Sequence, residues 1–561
     1  MTKYIYVLTQ FKFNISAYHG SKEIRNYKSS IWDDDYVQSL TTPYMAKEYV
    51  EQAEKLKRQV KIIIDETEDE LDQLELIDNL QRLDICNHFE DGVQKLLETI
   101  YYQTIKYQDK HVEKDLHVTA LQFRLLRQHG YHVPQEVFCS FLDEAGNFKA
   151  SLPSDVKGIL SLYEASFLSL EGENILDLAK DFSTHHLRDR LHQITNDPSL
   201  AEQIRHALEL PLHWRVQKIE AKWFINVYET RFDANLILLE LAKLDFNIVQ
   251  AKYQDEIKHM SRWYKETGLP EKLGFARHRL AECFLWAVGF TPEHHFGYSR
   301  EILTKIAVLI TIMDDIYDVY GTLDELEVFT ETIERWDING LDRLPEYMRI
   351  CFLALFNSTN EMAYHILRDQ GFNIISNLRK LWAELSRAYY LEARWFHSGY
   401  FPSTNEYLNT AWVSISRPVL LFHAYFSITN PINKKELRGL EQYPGIIRWP
   451  SMVLRLADDL GTTSDEMKKG DVPKSIQCYM NETECSEEDA REYIKHLIDV
   501  TLKRMNKDIL MEKPFKGFGK TAMNLARISL CIYQYGDGFG VPHHETKNNL
   551  VSLIVEPISM P

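Results

Sequence analysis

Three carboxylates follow an apolar run near the middle of the chain. Residues 302–313 carry large apolar side chains at helical intervals, and Asp314, Asp315 and Asp318 come next. On a helix, Asp314 and Asp318 would share one face, with Asp315 about 100° around it. Buried carboxylates repel one another unless a cation neutralises them, and Mg²⁺ or Mn²⁺ prefers such oxygen ligands. The pattern therefore predicts a metal site, with a solvated acidic helix end as the alternative.

A second set of oxygen donors occurs nearer the C-terminus. Asp458, Thr462 and Glu466 are spaced four residues apart, so on a helix they form one continuous stripe. Two carboxylates and a hydroxyl group make a good ligand set for a hard divalent cation. This stripe predicts a second metal site, and a helix face with ordinary solvated acids is the alternative.

Basic residues accompany both acidic sets. Arg277 and Arg279 precede the first set. Arg455 lies one turn before the second set, and Lys474 follows it. Arginine and lysine bind phosphate groups, and several Mg²⁺ ions held by opposed carboxylates can clamp a diphosphate. The two sets together predict a diphosphate-binding centre, although for Arg279 alone a surface arginine stacked near a core tryptophan is the alternative.

Apolar and aromatic side chains in the second half could form a hydrocarbon-binding wall beside this centre. Aromatic faces stabilise a carbocation. The sequence shows no obvious general base, which favours chemistry that starts with departure of a leaving group. For each residue taken singly, an ordinary core position is the alternative. The candidates are Trp286, Ala307, Trp412, Ile415, Leu420, Tyr533 and Phe539.

The elements that must position these residues are predicted to be helices throughout. From residue 32 onward, apolar residues recur at three- and four-residue spacing, and no alternating strand pattern appears. Longer and more apolar helices are predicted in the second half, for example over 236–260 and 275–288. The sequence therefore predicts an all-α fold.

A change of rhythm at residues 209–222, which include Pro211, divides the helical pattern in two. We expect an N-terminal helical domain over 24–216 and a C-terminal catalytic, metal-binding domain over 217–561. Residues 1–23 are expected to be a flexible segment or the remnant of a transit peptide, because 1–22 contain no acidic residue.

Composition excludes several classes of protein. The 561-residue chain has 64 Lys and Arg against 82 Asp and Glu, a net charge of −18, so nucleic acids and anionic membranes are poor partners. Its aliphatic runs are too short to span a membrane, and seven scattered cysteines indicate reduced thiols. A small-molecule partner is expected, with the chain a monomer or a homodimer.

These motifs resemble those of plant terpene synthases. Asp314-Asp315-Ile316-Tyr317-Asp318 is similar to the aspartate-rich motif of that family, residues 458–466 resemble its second metal motif, and Arg277-x-Arg279 stands at a similar distance upstream. The resemblance covers nearly the whole chain and looks closest to the angiosperm monoterpene synthase subfamily. It implies two helical domains: a C-terminal class I terpenoid synthase α-bundle and a catalytically silent N-terminal relic α-barrel.

The resemblance also implies roles for individual residues. Asp314 and Asp318 resemble ligands of two Mg²⁺ ions, with Asp315 in support, and Asp458, Thr462 and Glu466 resemble ligands of a third; Mn²⁺ could replace Mg²⁺. Residues similar to diphosphate contacts are Arg277, Arg455 and Lys474, with Arg279 helping to hold the departing anion.

The remaining implied roles concern the hydrocarbon and closure of the site. Tyr533 and Asp537 are expected to act in a closing C-terminal segment. The resemblance also gives a pocket-shaping role to Trp286, Ile415, Leu420, Tyr533 and Phe539, and Ala307 is expected to keep the pocket long.

Two further departures from the family pattern matter. Cyclising monoterpene synthases carry an Arg pair where this chain has Lys22 and Glu23, which favours acyclic products. Ser416-Arg417-Pro418 replaces the common Ser-Gly-Pro at a helix break near the substrate. Two interpretations of Arg417 stay open: a further diphosphate contact, or a side chain that points outward.

The expected function is therefore a Mg²⁺-dependent monoterpene synthase that ionises geranyl diphosphate and releases diphosphate. Products of the ocimene, myrcene or linalool type are favoured, in a plastid rather than the cytosol. The alternatives are a cyclic monoterpene synthase or a sesquiterpene synthase acting on farnesyl diphosphate. A non-enzymatic helical binding protein is the alternative from a different class.

Overall fold

The computed structural model describes residues 32–106, 115–193, 197–469, 473–511, 515, 517–540 and 544–560. The predicted segment 1–23 lies outside these residues. The helices of the first half are α1 (Asp34–Ser39), α2 (Lys47–Glu66), α3 (Glu70–Arg82), α4 (Glu90–Lys106), α5 (Leu116–Gln128), α6 (Val156–Ser166), α7 (Asn174–Arg190) and α8 (Pro198–Glu209).

Longer helices build the second half. They are α9 (Gln217–Glu229), α10 (Leu236–Thr267), α11 (Leu269–Lys272), α12 (Leu280–Phe290), α13 (Gly297–Asp315), α14 (Leu323–Arg335), α15 (Glu346–Gln370), α16 (Ile375–Ser398), α17 (Thr404–Ser414), α18 (Arg417–Ile428), α19 (Lys434–Leu440), α20 (Gly445–Lys469), α21 (Ser475–Thr483), α22 (Glu487–Met505), α23 (Phe518–Ile532) and α24 (His544–Leu550).

Shorter helical turns connect these elements. Turns of π-helix cover Ile316–Tyr320, Asn506–Met511 and Val551–Val555. Turns of 3₁₀-helix cover Cys86–His88, Gln135–Phe141, Leu152–Ser154, Leu191–Gln193, Leu212–Trp214, His294–Phe296 and Ile338–Arg343. In the ranges that the structure describes, extended pairing is limited to one isolated bridge between Leu142 and Phe148. The predicted all-α fold is confirmed.

The helix α10 is the long support of the second half. Asn235 caps its first turn by accepting hydrogen bonds from the N–H groups of Ile237 and Leu238, and the helix ends where Gly268 adopts a left-handed conformation with φ of 65°. Helices α1 and α2 pack on α10, as does the C-terminal π-turn Val551–Val555. Both ends of the described chain are thus anchored on one helix.

The two acid-bearing helices are held by their neighbours. Helix α13 packs against α12, α15 and α18, while α20 packs against α17, α22 and α23. Helix α18 contacts both α13 and α20, so Arg417, its first residue, lies on an element that packs against both acid-bearing helices. No helix in the described ranges combines the length and apolar character needed to cross a bilayer.

The two halves meet through buried polar contacts. The Asn506 side chain donates to the carbonyl groups of Phe167 (2.9 Å) and Ser169 (3.0 Å), and its oxygen lies 2.9 Å from Nε2 of His213. Lys180 forms an ion pair with Asp499 across the same contact. A division into domains at residues 216 and 217 stays a prediction.

Candidate active site

The first acidic set lies where α13 changes its winding. The α-helix ends at Asp315, and residues Ile316–Tyr320 continue as a π-helical turn. The wider π-turn alters the register that a continuous α-helix would give Asp318. Asp314, Asp315 and Asp318 nevertheless all line one cavity of about 220 Å³.

Asp315 is the buried member of this set, and it holds Arg277. Its side chain is 1% exposed, against 32% for Asp314. One carboxylate oxygen of Asp315 accepts from the backbone N–H of Arg277 (2.6 Å), and the other accepts from Nε of Arg277 (2.8 Å). Arg277 also pairs with Asp314. Both carboxylate oxygens of Asp315 thus accept hydrogen bonds from Arg277. The role of Asp315 as a metal ligand stays a prediction.

The start of α12 differs from the prediction for a related reason. A helix was expected from residue 275, which would have placed Arg279 and Trp286 on one helix face. The observed helix begins at Leu280, and Arg277 lies before it. The N–H of Arg277 bonds to Asp315 instead of to a carbonyl one helical turn earlier. The tertiary contact to Asp315 thus replaces the first turn of helix that local spacing suggested.

The second acidic set lies on α20. Like the first set, it contains one buried aspartate that pairs with an arginine and one aspartate that lines the cavity. Arg455 pairs with both Asp458 and Asp459. Asp459 is fully buried and also accepts from the hydroxyl of Tyr407 (3.2 Å) and from the N–H of Ser475 (3.1 Å). Because Ser475 follows Lys474, Asp459 fixes the backbone next to that lysine. Sequence reasoning assigned no role to Asp459, although its position beside Asp458 parallels that of Asp315 beside Asp314.

Oxygen atoms suited to a cation remain on the cavity side of α20. Thr462 Oγ1 is buried and makes no hydrogen bond within the described part of the chain, and Asp458 lines the same cavity. Burial raises the pKa of Asp458, while Arg455 acts in the opposite direction. The side chain of Glu466 lies outside the described residues.

These donors fit hard divalent cations in chemical type, because carboxylate and hydroxyl oxygens are their preferred ligands. In the described ranges, no three carboxylate, imidazole or thiol side chains form a complete ion site by themselves. The donors stand instead on two helices, α13 and α20, that face one cavity. Such an arrangement suits ions that share a ligand lying between the helices.

The cavity gathers most of the predicted residues. It is lined by Arg277, Trp286, Ala307, Asp314, Asp315, Asp318, Ile415, Arg455, Asp458, Thr462, Lys474, Tyr533, Asp537 and Phe539. Three predicted residues do not line it. Trp412 on α17, Leu420 on α18 and Arg279 just before α12 are buried elsewhere. The expected pocket-shaping role of Leu420 is therefore not supported by its position.

Arg279 and Asp537 instead shape residues 533–540, here called the C-terminal turn. Arg279 Nη2 donates to the carbonyl of Gly540 (3.1 Å). Asp537 accepts from the N–H groups of Phe539 (3.2 Å) and Gly540 (2.6 Å). Both residues therefore hold this turn beside the cavity. The predicted roles of Asp537 in closing the site and of Arg279 in holding the departing anion stay predictions.

Two buried polar residues of the cavity wall were missed by sequence reasoning. Tyr389 and Glu392 lie on α16, which reads as an ordinary amphipathic helix. The Ser414 hydroxyl donates to Glu392 (2.6 Å), and burial raises the pKa of that carboxyl group against the opposing effect of Lys474. No local motif signals these residues, because α16 reaches the cavity only through tertiary packing.

The close approach of α20 to the C-terminal turn generates a prediction. A Cβ atom on Gly461 would lie 2.9 Å from the Gly536 carbonyl oxygen and 3.2 Å from Cδ1 of Tyr533. Gly461→Ala should therefore displace the turn and cost about 1–3 kcal/mol, although alanine normally stabilises a helix interior. Amide hydrogen exchange in residues 533–540 should become faster.

Gly274→Ala is the matched control, since its added Cβ meets nothing within 4 Å. Unchanged exchange in residues 533–540 of Gly461→Ala, together with raised stability, would contradict the contact between α20 and the turn.

Comparison with known families gives matches in both halves of the chain. Residues 31–208 match the terpene synthase N-terminal domain, and residues 265–504 match the metal-binding domain of the terpene synthase family. The second match includes Arg277 and both acidic sets.

Characterised relatives match along nearly the whole chain. A trans-alpha-bergamotene synthase of Phyla dulcis is 73% identical over 95% of this chain and 98% of its own length. An exo-alpha-bergamotene synthase of Lavandula angustifolia is 68% identical, with 96% and 99% covered. A myrcene synthase of Quercus ilex, named as chloroplastic, is 53% identical, with 95% and 89% covered.

Solved structures share the fold at similar coverage. Limonene synthase bound to 2-fluorolinalyl diphosphate superposes with a TM-score of 0.93 at 44% identity, covering 95% of this chain and 99% of that one. Isoprene synthase of grey poplar, bound to three Mg²⁺ ions and dimethylallyl-S-thiolodiphosphate, gives 0.87 at 46% identity, with 94% and 99% covered. Together with the two family matches, these similarities show that the chain belongs to the terpene synthase family.

Proposed function

We propose that this enzyme is a divalent-metal-dependent sesquiterpene synthase that ionises farnesyl diphosphate and forms a cyclic product of the bergamotene class. The observation that carries the reaction type is the pair of opposed oxygen-donor sets, on α13 and α20, facing one cavity with arginine and lysine beside them. The two bergamotene synthases at 73% and 68% identity support the choice of substrate.

This proposal replaces the expectation drawn from the sequence. Geranyl diphosphate and an acyclic monoterpene were predicted, with farnesyl diphosphate as an alternative. The names of the relatives favour that alternative, because the monoterpene-forming myrcene synthase is more distant, at 53% identity. Lys22 and Glu23, which carried the preference for acyclic products, lie outside the described residues. A plastid location and a monomeric or homodimeric state stay predictions.

In the proposed mechanism, the outer carboxylates of the two helices hold the metal ions. Asp314 and Asp318 would bind from one side, and Asp458 and Thr462 from the other, with Glu466 as a further predicted ligand. Ions held there would neutralise the charge of the diphosphate and so favour its departure as a leaving group. The metal-binding family match and the neighbour with three Mg²⁺ ions support dependence on a divalent metal. A set of three ions is our proposal here.

The basic residues would receive the diphosphate group directly. Arg277 and Arg455 are held by Asp315 and Asp459, so their guanidinium groups are positioned before the substrate arrives. Lys474 lines the cavity beside them. Fixed cations stabilise the developing negative charge without reorganising during the reaction, which is the main benefit of a preorganised site.

The hydrocarbon would lie against the aromatic part of the same cavity. Trp286, Tyr389 and Tyr533 offer ring surfaces to an allylic cation, and Ala307 adds little bulk to the wall. The C-terminal turn, held by Arg279 and Asp537, would exclude water until the cation loses a proton.

Substrate competition tests the proposed chain length. With farnesyl and geranyl diphosphates at equal concentration and excess Mg²⁺, gas chromatography should show mainly cyclic fifteen-carbon products, with a preference in kcat/KM of about tenfold or more. Mainly ten-carbon products would contradict the proposed substrate. A parallel incubation without protein gives the background of non-enzymatic hydrolysis.

The separate roles of outer and inner aspartates are testable by metal titration. Asp314→Asn should raise the Mg²⁺ concentration for half-maximal activity by about tenfold or more, because it removes a proposed ligand. Asp315→Asn should lower kcat/KM while leaving that Mg²⁺ concentration nearly unchanged, because it loosens Arg277 and not the metal.

The exposed residue Asp324 on α14 supplies the control, and Asp324→Asn should change neither quantity. An equal increase in the Mg²⁺ requirement for Asp314→Asn and Asp315→Asn would indicate instead that Asp315 also binds the metal.

A further inference from the structure

Arg417 enters the cavity from the N-terminus of α18. Ser416 precedes it in a left-handed conformation with φ of 68°, and this sharp turn directs the chain into the helix. The Arg417 side chain lines the cavity together with both acidic sets. Of the two interpretations that the sequence left open, an outward-pointing side chain is therefore excluded.

The guanidinium group of Arg417 stacks on the aromatic wall. Its central carbon lies 4.4 Å from the ring centre of Trp286. Nε of Arg417 is buried and has no hydrogen-bond partner in the described part of the chain, where the arginine also forms no ion pair. Arg277 and Arg455, by contrast, each pair with two carboxylates.

This placement is costly for the resting protein. Burial lowers the pKa of the Arg417 guanidinium, with smaller opposing effects from Tyr533, Tyr389 and Asp458. Stacking on a tryptophan recovers about 0.5–2 kcal/mol of the cost of partly burying a cation that lacks an anionic partner. An anion that entered the cavity could therefore pair with Arg417, whose positive charge has no ion-pair partner within the described residues.

The same placement conflicts with carbocation chemistry. Trp286 is a ring that the proposed mechanism uses to stabilise the positive hydrocarbon. A guanidinium group that remained on this ring would repel the carbocation at short range. The conflict disappears if Arg417 moves from the ring to the diphosphate when substrate binds.

We propose that Arg417 is a further diphosphate-binding residue, which leaves Trp286 when the anion binds and so opens the aromatic face to the hydrocarbon. The inference rests on the proposed prenyl diphosphate chemistry. It assigns one side chain two linked effects: tighter binding of the diphosphate, and access of the isoprenoid chain to Trp286 only after the diphosphate is in place.

Binding of inorganic diphosphate with excess Mg²⁺, measured by isothermal titration calorimetry, tests the first effect. Arg417→Met keeps the length of the side chain and removes its charge, and it should weaken binding about tenfold or more. Arg417→Lys keeps the charge and should retain most of the affinity, with some loss because lysine lacks the planar fork.

Arg448→Met is the matched control. Arg448 is also partly buried, also stacks on a tryptophan (5.5 Å from the ring centre of Trp412) and also has a buried Nε without a partner, but it does not line the cavity. This variant should bind diphosphate as the unmodified protein does. Binding by Arg417→Met within about twofold of the unmodified protein would overturn the proposal.

Tryptophan fluorescence tests the second effect without a variant of Arg417. Addition of diphosphate and Mg²⁺ to the unmodified protein should change the emission, and the change should be absent from Trp286→Phe. An identical change in both proteins would overturn the movement of Arg417, and this readout decides the matter even if Arg417→Met does not fold.

Failure of this inference is distinguishable from failure of the proposed function. If the unmodified protein forms terpenes and binds diphosphate, but Arg417→Met binds equally well, only the role of Arg417 is wrong. If the unmodified protein does not bind diphosphate with Mg²⁺ at all, both the proposed function and the inference are overturned.

Discussion

Charge balance inside one small cavity is the constraint on which the rest of the structure depends. Two helices bring carboxylates to the same space, where unpaired negative charges repel one another and are poorly solvated. The inner members, Asp315 and Asp459, are neutralised by arginines and by backbone N–H groups. The outer members, Asp314 and Asp458, pair with the same two arginines and also line the cavity. The proposed metal ions would neutralise the remaining negative charge of the cavity, and the proposed diphosphate would neutralise the charge of the metal ions and the basic residues.

The acidic sets and their basic neighbours were predictable from the sequence because helical spacing and chemical type are local properties. The division between inner and outer aspartates was not, since it depends on which carboxylate α13 turns toward Arg277. The helix boundary before Leu280 was wrong for the same reason: a tertiary hydrogen bond to Asp315 outweighs the local pattern. Tyr389 and Glu392 carry no motif, because the packing of α16 alone brings them to the site.

The chain length of the substrate is harder to predict from the sequence or from the structure, because several separate elements contribute residues to the hydrocarbon wall. Its residues come from α12, α13, α16 and the C-terminal turn, and each is an ordinary core residue when considered alone. Leu420 shows the limit of an argument from resemblance, since the resemblance implied a pocket-shaping role for a residue that does not line the cavity. Arg417 shows the opposite case, where a departure from the family pattern places a charge on the wall itself. The relatives' names therefore carry more weight than any single wall residue in the choice of farnesyl diphosphate.

A crystal structure of the protein with Mg²⁺ and inorganic diphosphate tests the central claim most directly. The account predicts metal ions bound on one side by Asp314 and Asp318 and on the other by Asp458 and Thr462, with the diphosphate between them. It also predicts that Asp315 and Asp459 keep their arginine partners. Ions bound by only one of the two helices, or an ion bound to Asp315 with Arg277 displaced, would contradict it.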